Sequence, residues 1–215
     1  MVRLWLSKRS KADGREIVQT AALPLTTAPD RSRLVTHAER IAMPTALLII
    51  DAQNVFFDGP DGQPVHQAGA VLVNLTALVQ RARAAGVPVI YIQHEDEDLM
   101  KPEPNWQLHP DLTPEPDEPV VEKTRPDAFY QTGLDALLKE RGVDHLVIAG
   151  NQTDFCINAT CRAAQALGYR VTLAADAHGT YDSAGQTAAA IIARHNSDLG
   201  NGIAVVQPTD QIRFP

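Results

Sequence analysis

The amino-acid sequence predicts an α/β fold, specifically a three-layer α/β/α sandwich with a mainly parallel, Rossmann-like sheet. From Thr45 onward, short apolar segments alternate with amphipathic segments, which is typical of a parallel sheet covered by helices on both faces. The 215 residues, with 44% hydrophobic content, suffice for one sizeable core but hardly for two. We therefore expect one α/β domain, residues 43–215, preceded by an N-terminal extension, residues 1–42.

The individual elements follow from the pattern of apolar residues. Five strands are predicted, at residues 46–51, 88–93, 145–149, 171–175 and 203–206. Residues 68–85 repeat apolar side chains at helical spacing and stop at Gly86, which predicts a helix with a glycine cap. Shorter helices are predicted over residues 132–141, 155–167 and 183–196. Ser183 and Gln186 have the spacing of a capping box at the start of the last helix.

Two segments do not follow this pattern. Residues 95–121 contain six prolines, so we expect a loop that shapes a pocket. Residues 1–42 lack sustained periodicity, and their role cannot be read from the pattern. Their apolar stretch near Trp5 is too short for a secretory signal, and their acidic residues argue against a transit peptide. Because the first strand begins directly after Met43, a translation start at Met43 is a plausible alternative.

Composition and charge exclude several classes of function. The formal net charge is -7, and residues 43–215 hold 11 Lys and Arg against 22 Asp and Glu, so nucleic acid is not an expected partner. No apolar run approaches the roughly 20 residues that cross a bilayer, so no membrane partner is expected. The two cysteines, Cys156 and Cys161, lie on one predicted helix and are not expected to form a disulfide, which fits the cytoplasm. Motifs of dinucleotide-binding, P-loop and serine-hydrolase proteins are absent.

Three polar residues lie where a parallel sheet binds ligands, beyond the carboxyl ends of strands or next to them. Asp51 ends the first strand and could act as a base, or simply cap the following turn. Cys156 is placed in the first turn of a helix, which favours a thiolate with a lowered pKa, although a small buried side chain is the alternative. Lys123 ends a short extended segment; the alternative interpretation is an ordinary surface lysine. Carboxylate, thiolate and ammonium together indicate covalent acyl transfer. Cys161 has no such setting and is expected to pack in the core.

Three motifs, in order along the chain, resemble those of isochorismatase-like cysteine hydrolases, a family that includes nicotinamidases and related amidases. They read LLIIDAQNVF, VVEKTRPDAF and GNQTDFCINATCRAAQALGYRVTLAADAH. The resemblance extends over roughly residues 44–210 and implies that Asp51, Lys123 and Cys156 are the catalytic residues. It also implies a cis peptide bond between Asn151 and Gln152, and an oxyanion hole formed by the backbone N–H groups of Gln152 and Cys156.

The resemblance also bears on metals, substrate and assembly. Nicotinamidases bind a metal through an Asp-x-His pair, whereas this chain reads YIQHEDEDLMKPEPNWQLHP and lacks that pair. His94, Asp96 and His109 are the side chains there that a metal could recruit, but we expect neither a metal nor another cofactor. The sequence is most similar to the metal-free branch, which implies a small-molecule substrate and a homodimer or homotetramer. The aromatic residues proposed as pocket walls are Phe57, Trp106, Phe129 and Tyr130.

Three functions remain open at this point. The first is a cysteine hydrolase that cleaves the C–N bond of an amide through a thioester. The second is a vinyl-ether hydrolase of the isochorismatase type, which does not need a thiol. The third is a non-catalytic small-molecule-binding or thiol redox protein of the same fold. The sequence does not indicate the substrate.

Overall fold

The computed structural model describes residues 7–12, 15–20, 44–59 and 63–215. The chain divides into two compact units, Met1–Arg40 and Ile41–Pro215. The predicted boundary between residues 42 and 43 lies outside the described residues. In the first unit, β1 (Ser7–Ala12) pairs antiparallel with β2 (Arg15–Thr20). The sequence pattern did not predict these strands, because β1 contains no large apolar residue and so shows no alternation.

The second unit contains a six-stranded sheet whose strands all pair in parallel. Its strands are β3 (Thr45–Ile50), β4 (Val89–His94), β5 (Val120–Lys123), β6 (His145–Asn151), β7 (Arg170–Gly179) and β8 (Val205–Gln207). Their order in the sheet is β5-β4-β3-β6-β7-β8, so the direction of the winding reverses between β3 and β6. This confirms the Rossmann-like sheet, and β5 adds a sixth strand where only a short extended segment was expected. Ligands of such sheets bind at the reversal point, beyond the carboxyl ends of the strands.

Helices cover both faces of this sheet. They are α1 (Asn54–Phe57), α2 (Ala68–Ala84), α3 (Leu134–Glu140), α4 (Asn158–Ala166) and α5 (Ala188–Gly200). Alternate residues of β3 face opposite layers: Leu47 packs in one apolar cluster with Leu75 of α2, and Leu48 packs in another with Leu138 of α3 and Cys161 of α4. These two clusters confirm the predicted three-layer sandwich. Among the described helices, none has the length and apolarity required to cross a membrane.

The predicted start of the last helix was wrong, and the helix predicted over residues 155–167 is present with a π-helical first turn. The last helix begins at Ala188, where the Thr187 side chain accepts a hydrogen bond from the Ala190 N–H group at 3.3 Å. Ser183 and Gln186 do not form a capping box, because their backbones exchange hydrogen bonds of 3.0 and 2.9 Å and close a turn before the helix. The helix predicted over residues 155–167 begins instead as a π-helical turn, Thr153–Ile157, and continues as α4.

The proline-rich loop after β4 is fixed to the carboxyl end of the sheet by two buried glutamines. Gln53 donates through Nε2 to the carbonyl oxygens of His94 and Trp106, at 2.9 and 2.8 Å. Gln93 donates through Nε2 to the same Trp106 carbonyl at 2.8 Å. Because buried amide groups need partners, these contacts hold the middle of the loop above β3 and β4.

Candidate active site

Asp51 follows directly after β3 and is fully buried. Its φ of 47° lies in the left-handed region, which residues other than glycine rarely adopt. The Asp51 N–H group donates to the Ile92 carbonyl at 2.8 Å, and the Asp51 carbonyl accepts from Asn151 Nδ2 at 3.3 Å. Contacts from both neighbouring strands therefore hold Asp51 in this backbone conformation, which the surroundings must impose on it.

Gly150 allows β6 to approach β3 closely beside Asp51. Its φ is 125°, and a Cβ atom there would lie 1.9 Å from the Ile50 carbonyl oxygen. Glycine is the residue without a Cβ atom, so any other residue would force the two strands apart at this point. Gly150 thus sets the separation of the two strands between which the winding reverses.

Lys123 is the last residue of β5, and its side chain is 0% exposed. Its ammonium group has three N–H donors, and all three have a partner. Nζ lies 2.9 Å from Asp51 Oδ2, 3.2 Å from Cys156 Sγ and 3.1 Å from His94 Nδ1. Although burial acts to lower it, the charge of Asp51 and the contacts with Cys156 raise the pKa of Lys123 above its ordinary value, so the ammonium is retained. The structure therefore brings together the three residues that the sequence indicated.

Cys156 lies in the π-helical turn and is 9% exposed. Burial raises the pKa of its thiol to about 12; the charge of Asp51 adds to this rise, and Lys123 opposes it. The lowered pKa expected from a helix N-terminus was therefore wrong, because removal of the thiol from water has the larger effect. The site therefore favours a thiol, beside the ion pair of Lys123 and Asp51.

The peptide bond between Asn151 and Gln152 is cis, as the resemblance implies. Gln152 leads directly into the π-helical turn, and its carbonyl accepts a hydrogen bond from the Ile157 N–H group at 3.0 Å. The segment that carries Gln152 and Cys156 is thus a single short turn at the end of β6. The oxyanion-hole role of their N–H groups stays a prediction.

His178 contacts the first residue of the π-helical turn. It is buried, with Nδ1 2.9 Å from Thr153 Oγ1 and Nε2 2.9 Å from Asn196 Oδ1. Burial lowers the pKa of His178 to about 4, so the ring is neutral at pH 7. A neutral ring that donates to Asn196 through Nε2 has Nδ1 free to accept the Thr153 hydroxyl proton. His178 therefore fixes the residue that begins the turn.

Two of the predicted pocket walls are engaged in packing. Phe57 lies in the apolar cluster beneath α2 and meets the His109 ring edge-on, at 5.2 Å between centroids. Phe129 stacks on Tyr169 at 5.8 Å, against the opposite face of the sheet. Tyr169 precedes β7, at the amino end of the sheet, whereas Asp51 follows a carboxyl end. The wall role of Phe57 and Phe129 stays a prediction.

The other two predicted walls lie nearer to the surface. The Trp106 Nε1–H group is buried and has no hydrogen-bond partner in the described part of the chain, and Lys101 Nζ lies 5.0 Å from the ring centroid. Tyr130 is 51% exposed. Trp106 is held near the carboxyl ends of β3 and β4 by Gln53 and Gln93, so it is the better placed of the four to meet a ligand.

The side chains considered for a metal already have protein partners. His94 Nε2 lies 2.9 Å from Asp96 Oδ2, and the other ring nitrogen faces Lys123. His109 Nδ1 accepts from the Asp111 N–H group at 3.2 Å. Within the described ranges, no three side chains of His, Cys, Asp or Glu are grouped in a way that fits a metal ion. The sequence indicated His94 only as a side chain that a metal could recruit. Its contact with Lys123 was missed, because only the pairing of β4 with β5 places the two residues side by side.

Comparison with known proteins gives one consistent family. Residues 45–201 match the family model described as Isochorismatase domain. The chain is 42% identical over 140 residues to a streptothricin hydrolase of Streptomyces noursei; the match covers 64% of this chain but only about half, 50%, of that relative. It is 29% identical over 170 residues to a ureidoacrylate amidohydrolase of Pseudomonas syringae, covering 62% of this chain and 69% of the relative. The crystal structure of an isochorismatase from Pseudomonas putida superposes with a TM-score of 0.75 at 31% identity, covering 80% and 91% of the two chains.

Proposed function

The chain belongs to the isochorismatase family, and we propose that it is a cysteine hydrolase that cleaves the C–N bond of a small-molecule amide through a thioester on Cys156. The observation that carries this proposal is the contact of one buried ammonium, that of Lys123, with both the Asp51 carboxylate and the Cys156 sulfur. Two similar proteins are a streptothricin hydrolase and a ureidoacrylate amidohydrolase, which supports hydrolysis as the reaction class.

Asp51 is the base in this mechanism. Its Oδ2 atom accepts from Lys123, whereas its Oδ1 atom is buried and has no hydrogen-bond partner among the described residues. Oδ1 therefore has its lone pairs available to accept a proton from a thiol beside it. Because burial and the charge of Asp51 raise the thiol pKa, little thiolate is present at neutral pH, and the proton passes to Asp51 as the sulfur attacks the substrate. The Lys123 contact with Sγ stabilises the sulfur charge as it develops.

The reaction then proceeds in two halves. The Cys156 sulfur bonds to the amide carbon, and the carbonyl oxygen becomes an oxyanion that the N–H groups of Gln152 and Cys156 stabilise. Protonated Asp51 gives its proton to the amide nitrogen, the carbonyl re-forms and the C–N bond breaks. The amine departs, and the acyl group remains on Cys156 as a thioester. Water then attacks the thioester carbon and loses a proton to Asp51. The C–S bond breaks, the acid product leaves, and the sulfur recovers its proton from Asp51.

The test is to trap the thioester. The enzyme is mixed with a panel of small linear and cyclic amides, quenched in acid, and the intact mass is measured. We expect an added acyl mass on the wild-type protein, which peptide mapping assigns to Cys156, and none in Cys156→Ala. Cys161→Ala is the matched control, because Cys161 is fully buried in α4 and neither Asp51 nor Lys123 affects its pKa. Amide turnover that survives in Cys156→Ala would contradict covalent catalysis by Cys156. Hydrolysis of a vinyl ether that is unchanged in Cys156→Ala would indicate the isochorismatase-type reaction instead, and binding without turnover would indicate a non-catalytic role.

We also infer a cytoplasmic location, a homodimer or homotetramer, and activity without a metal. The location is supported by two free thiols, both buried, and the assembly by the family resemblance. Light scattering coupled to gel filtration measures the assembly directly. Activity that is unchanged after treatment with a chelator would support metal-free chemistry, whereas activity restored by an added divalent metal would contradict it.

A further inference from the structure

The third N–H group of Lys123 faces His94, which the mechanism does not use. His94 ends β4 and pairs in register with Lys123 at the end of β5. The distance from Lys123 Nζ to His94 Nδ1 is 3.1 Å, similar to the 2.9 and 3.2 Å separations from Asp51 and Cys156. Three acceptors thus surround one buried ammonium, and two of them belong to the proposed reaction.

The chemistry of the ammonium fixes the tautomer of His94. An ammonium only donates, so Nδ1 must carry a lone pair and the ring proton must lie on Nε2. Nε2 lies 2.9 Å from Asp96 Oδ2 and donates to it. Asp96 Oδ1 accepts from the Asp98 N–H group at 3.0 Å. Although burial opposes it, these contacts lower the pKa of Asp96, so its carboxylate stays charged and favours the tautomer that accepts from Lys123.

The position of the His94 ring is fixed by its backbone. The buried Gln53 side chain donates to the His94 carbonyl at 2.9 Å and accepts from the His94 N–H group at 2.9 Å. This pair of hydrogen bonds holds the His94 backbone at the end of β4. His94 is therefore held at both its backbone and its ring, as a residue that orients another must be.

We propose that His94, with Asp96 behind it, is a positioning residue that orients the Lys123 ammonium toward Asp51 and Cys156. The proposal rests on the proposed function, because it assigns His94 a part in the activation of Cys156. Without an acceptor at the Nδ1 position, one ammonium N–H is unpaired in a buried site, and the group rotates or shifts to satisfy it. The hydrogen bond from Lys123 Nζ to Cys156 Sγ is then formed for a smaller fraction of the time.

The test measures Cys156 alkylation by iodoacetamide at pH 8.5, followed by peptide mass spectrometry, because this readout needs no substrate. His94→Ala should react about 10-fold more slowly than the wild type, since a hydrogen bond to a charged group is lost. His94→Asn should stay within about 3-fold of the wild type, because its Oδ1 atom can occupy the place of Nδ1 and accept from Lys123. If an amide substrate is found, kcat should fall in His94→Ala with KM unchanged.

Asp96→Asn tests the contact of Asp96 with the His94 ring. The amide that this substitution introduces can donate to His94 Nε2, which favours the tautomer with the proton on Nδ1, and that tautomer cannot accept from Lys123. We therefore expect Cys156 alkylation to be about 3-fold slower in Asp96→Asn. Glu97→Gln is the matched control, because it removes one negative charge from the adjacent exposed residue, and it should react like the wild type. Thermal unfolding of each variant separates these effects from loss of the fold.

Two results would overturn the proposal: an alkylation rate in His94→Ala equal to that of the wild type, or His94→Asn as slow as His94→Ala. If His94→Ala does not fold, equal rates in Asp96→Asn and Glu97→Gln would overturn it. The alkylation readout also separates this proposal from the proposed function. A wild type that hydrolyses no amide contradicts the function, whereas the alkylation series still decides whether His94 orients Lys123.

Discussion

Cys156 and Cys161 lie five residues apart on one continuous segment, and burial raises the pKa of each thiol to about 12. Their surroundings differ. Both belong to the apolar cluster on one face of the sheet, but Cys161 is 0% exposed in α4, and neither Asp51 nor Lys123 affects its pKa. Cys156 lies in the π-helical turn, 9% exposed and 3.2 Å from Lys123 Nζ.

This comparison shows that the acidity of the resting thiol does not distinguish a nucleophile from a packing residue here. What distinguishes Cys156 is a base that can take its proton and a cation that can stabilise the sulfur charge afterwards. Cys161 has neither Asp51 nor Lys123 beside it. The following predictions break or sharpen this comparison, in order of the size of the expected effect.

The largest effect is expected from removal of the nucleophile. Cys156→Ala should lower amide turnover about 10,000-fold or more, because the covalent route is lost and only binding and oxyanion stabilisation remain. Steady-state kinetics with any substrate found in the screen measures this. Cys161→Ala should keep kcat within about 2-fold of the wild type. Similar losses in both variants would remove the distinction between the two cysteines.

Removal of the cation should affect stability as well as activity. Lys123→Met leaves the Asp51 carboxylate buried without a partner, which should lower the free energy of unfolding by about 3–5 kcal/mol. The double variant Asp51→Asn/Lys123→Met removes both charges and should recover most of this loss. Urea denaturation of the wild type and the two variants measures it. A double variant no more stable than Lys123→Met would show that the ion pair is not the cause.

The π-helical turn should respond to pH through His178. The folded pKa is about 4, below the ordinary 6.5, so the unfolded chain binds the proton more readily between these values. Stability from this group is therefore complete above about pH 6.5 and is lost as the pH falls toward 4, with about 2 kcal/mol lost at pH 5. Urea denaturation at pH 7 and pH 5 measures the loss. His178→Gln cannot be protonated, so its stability should fall less; an equal fall would assign the pH dependence to other groups.

The smallest effect is expected in the apolar core. Cys161→Ala removes one buried sulfur and should lower the free energy of unfolding by about 1 kcal/mol, through lost packing contacts. The rate of Cys156 alkylation should not change, because Cys161 has no contact with Asp51 or Lys123. A change in that rate would mean that α4 packing controls the geometry of the turn before it.

The sheet and the three charged or thiol residues were predictable because their signals are local. Apolar segments mark the strands, and strand ends mark where polar residues gather. The raised pKa of Cys156 was not predictable, because it depends on how deeply the folded chain buries the turn. The partnership of His94 with Lys123 was hidden for a similar reason, since the two residues meet only through the pairing of β4 with β5.

The most direct test of the central claim is the pH dependence of Cys156 alkylation in Asp51→Asn and Lys123→Met. The Asp51 charge raises the thiol pKa and the Lys123 charge lowers it, so the two variants should shift the profile in opposite directions. We predict that the midpoint of the alkylation profile lies at lower pH in Asp51→Asn and at higher pH in Lys123→Met than in the wild type. Cys161 should be alkylated more slowly than Cys156 at every pH. Profiles that coincide with that of the wild type would contradict a site in which Asp51 and Lys123 act on Cys156.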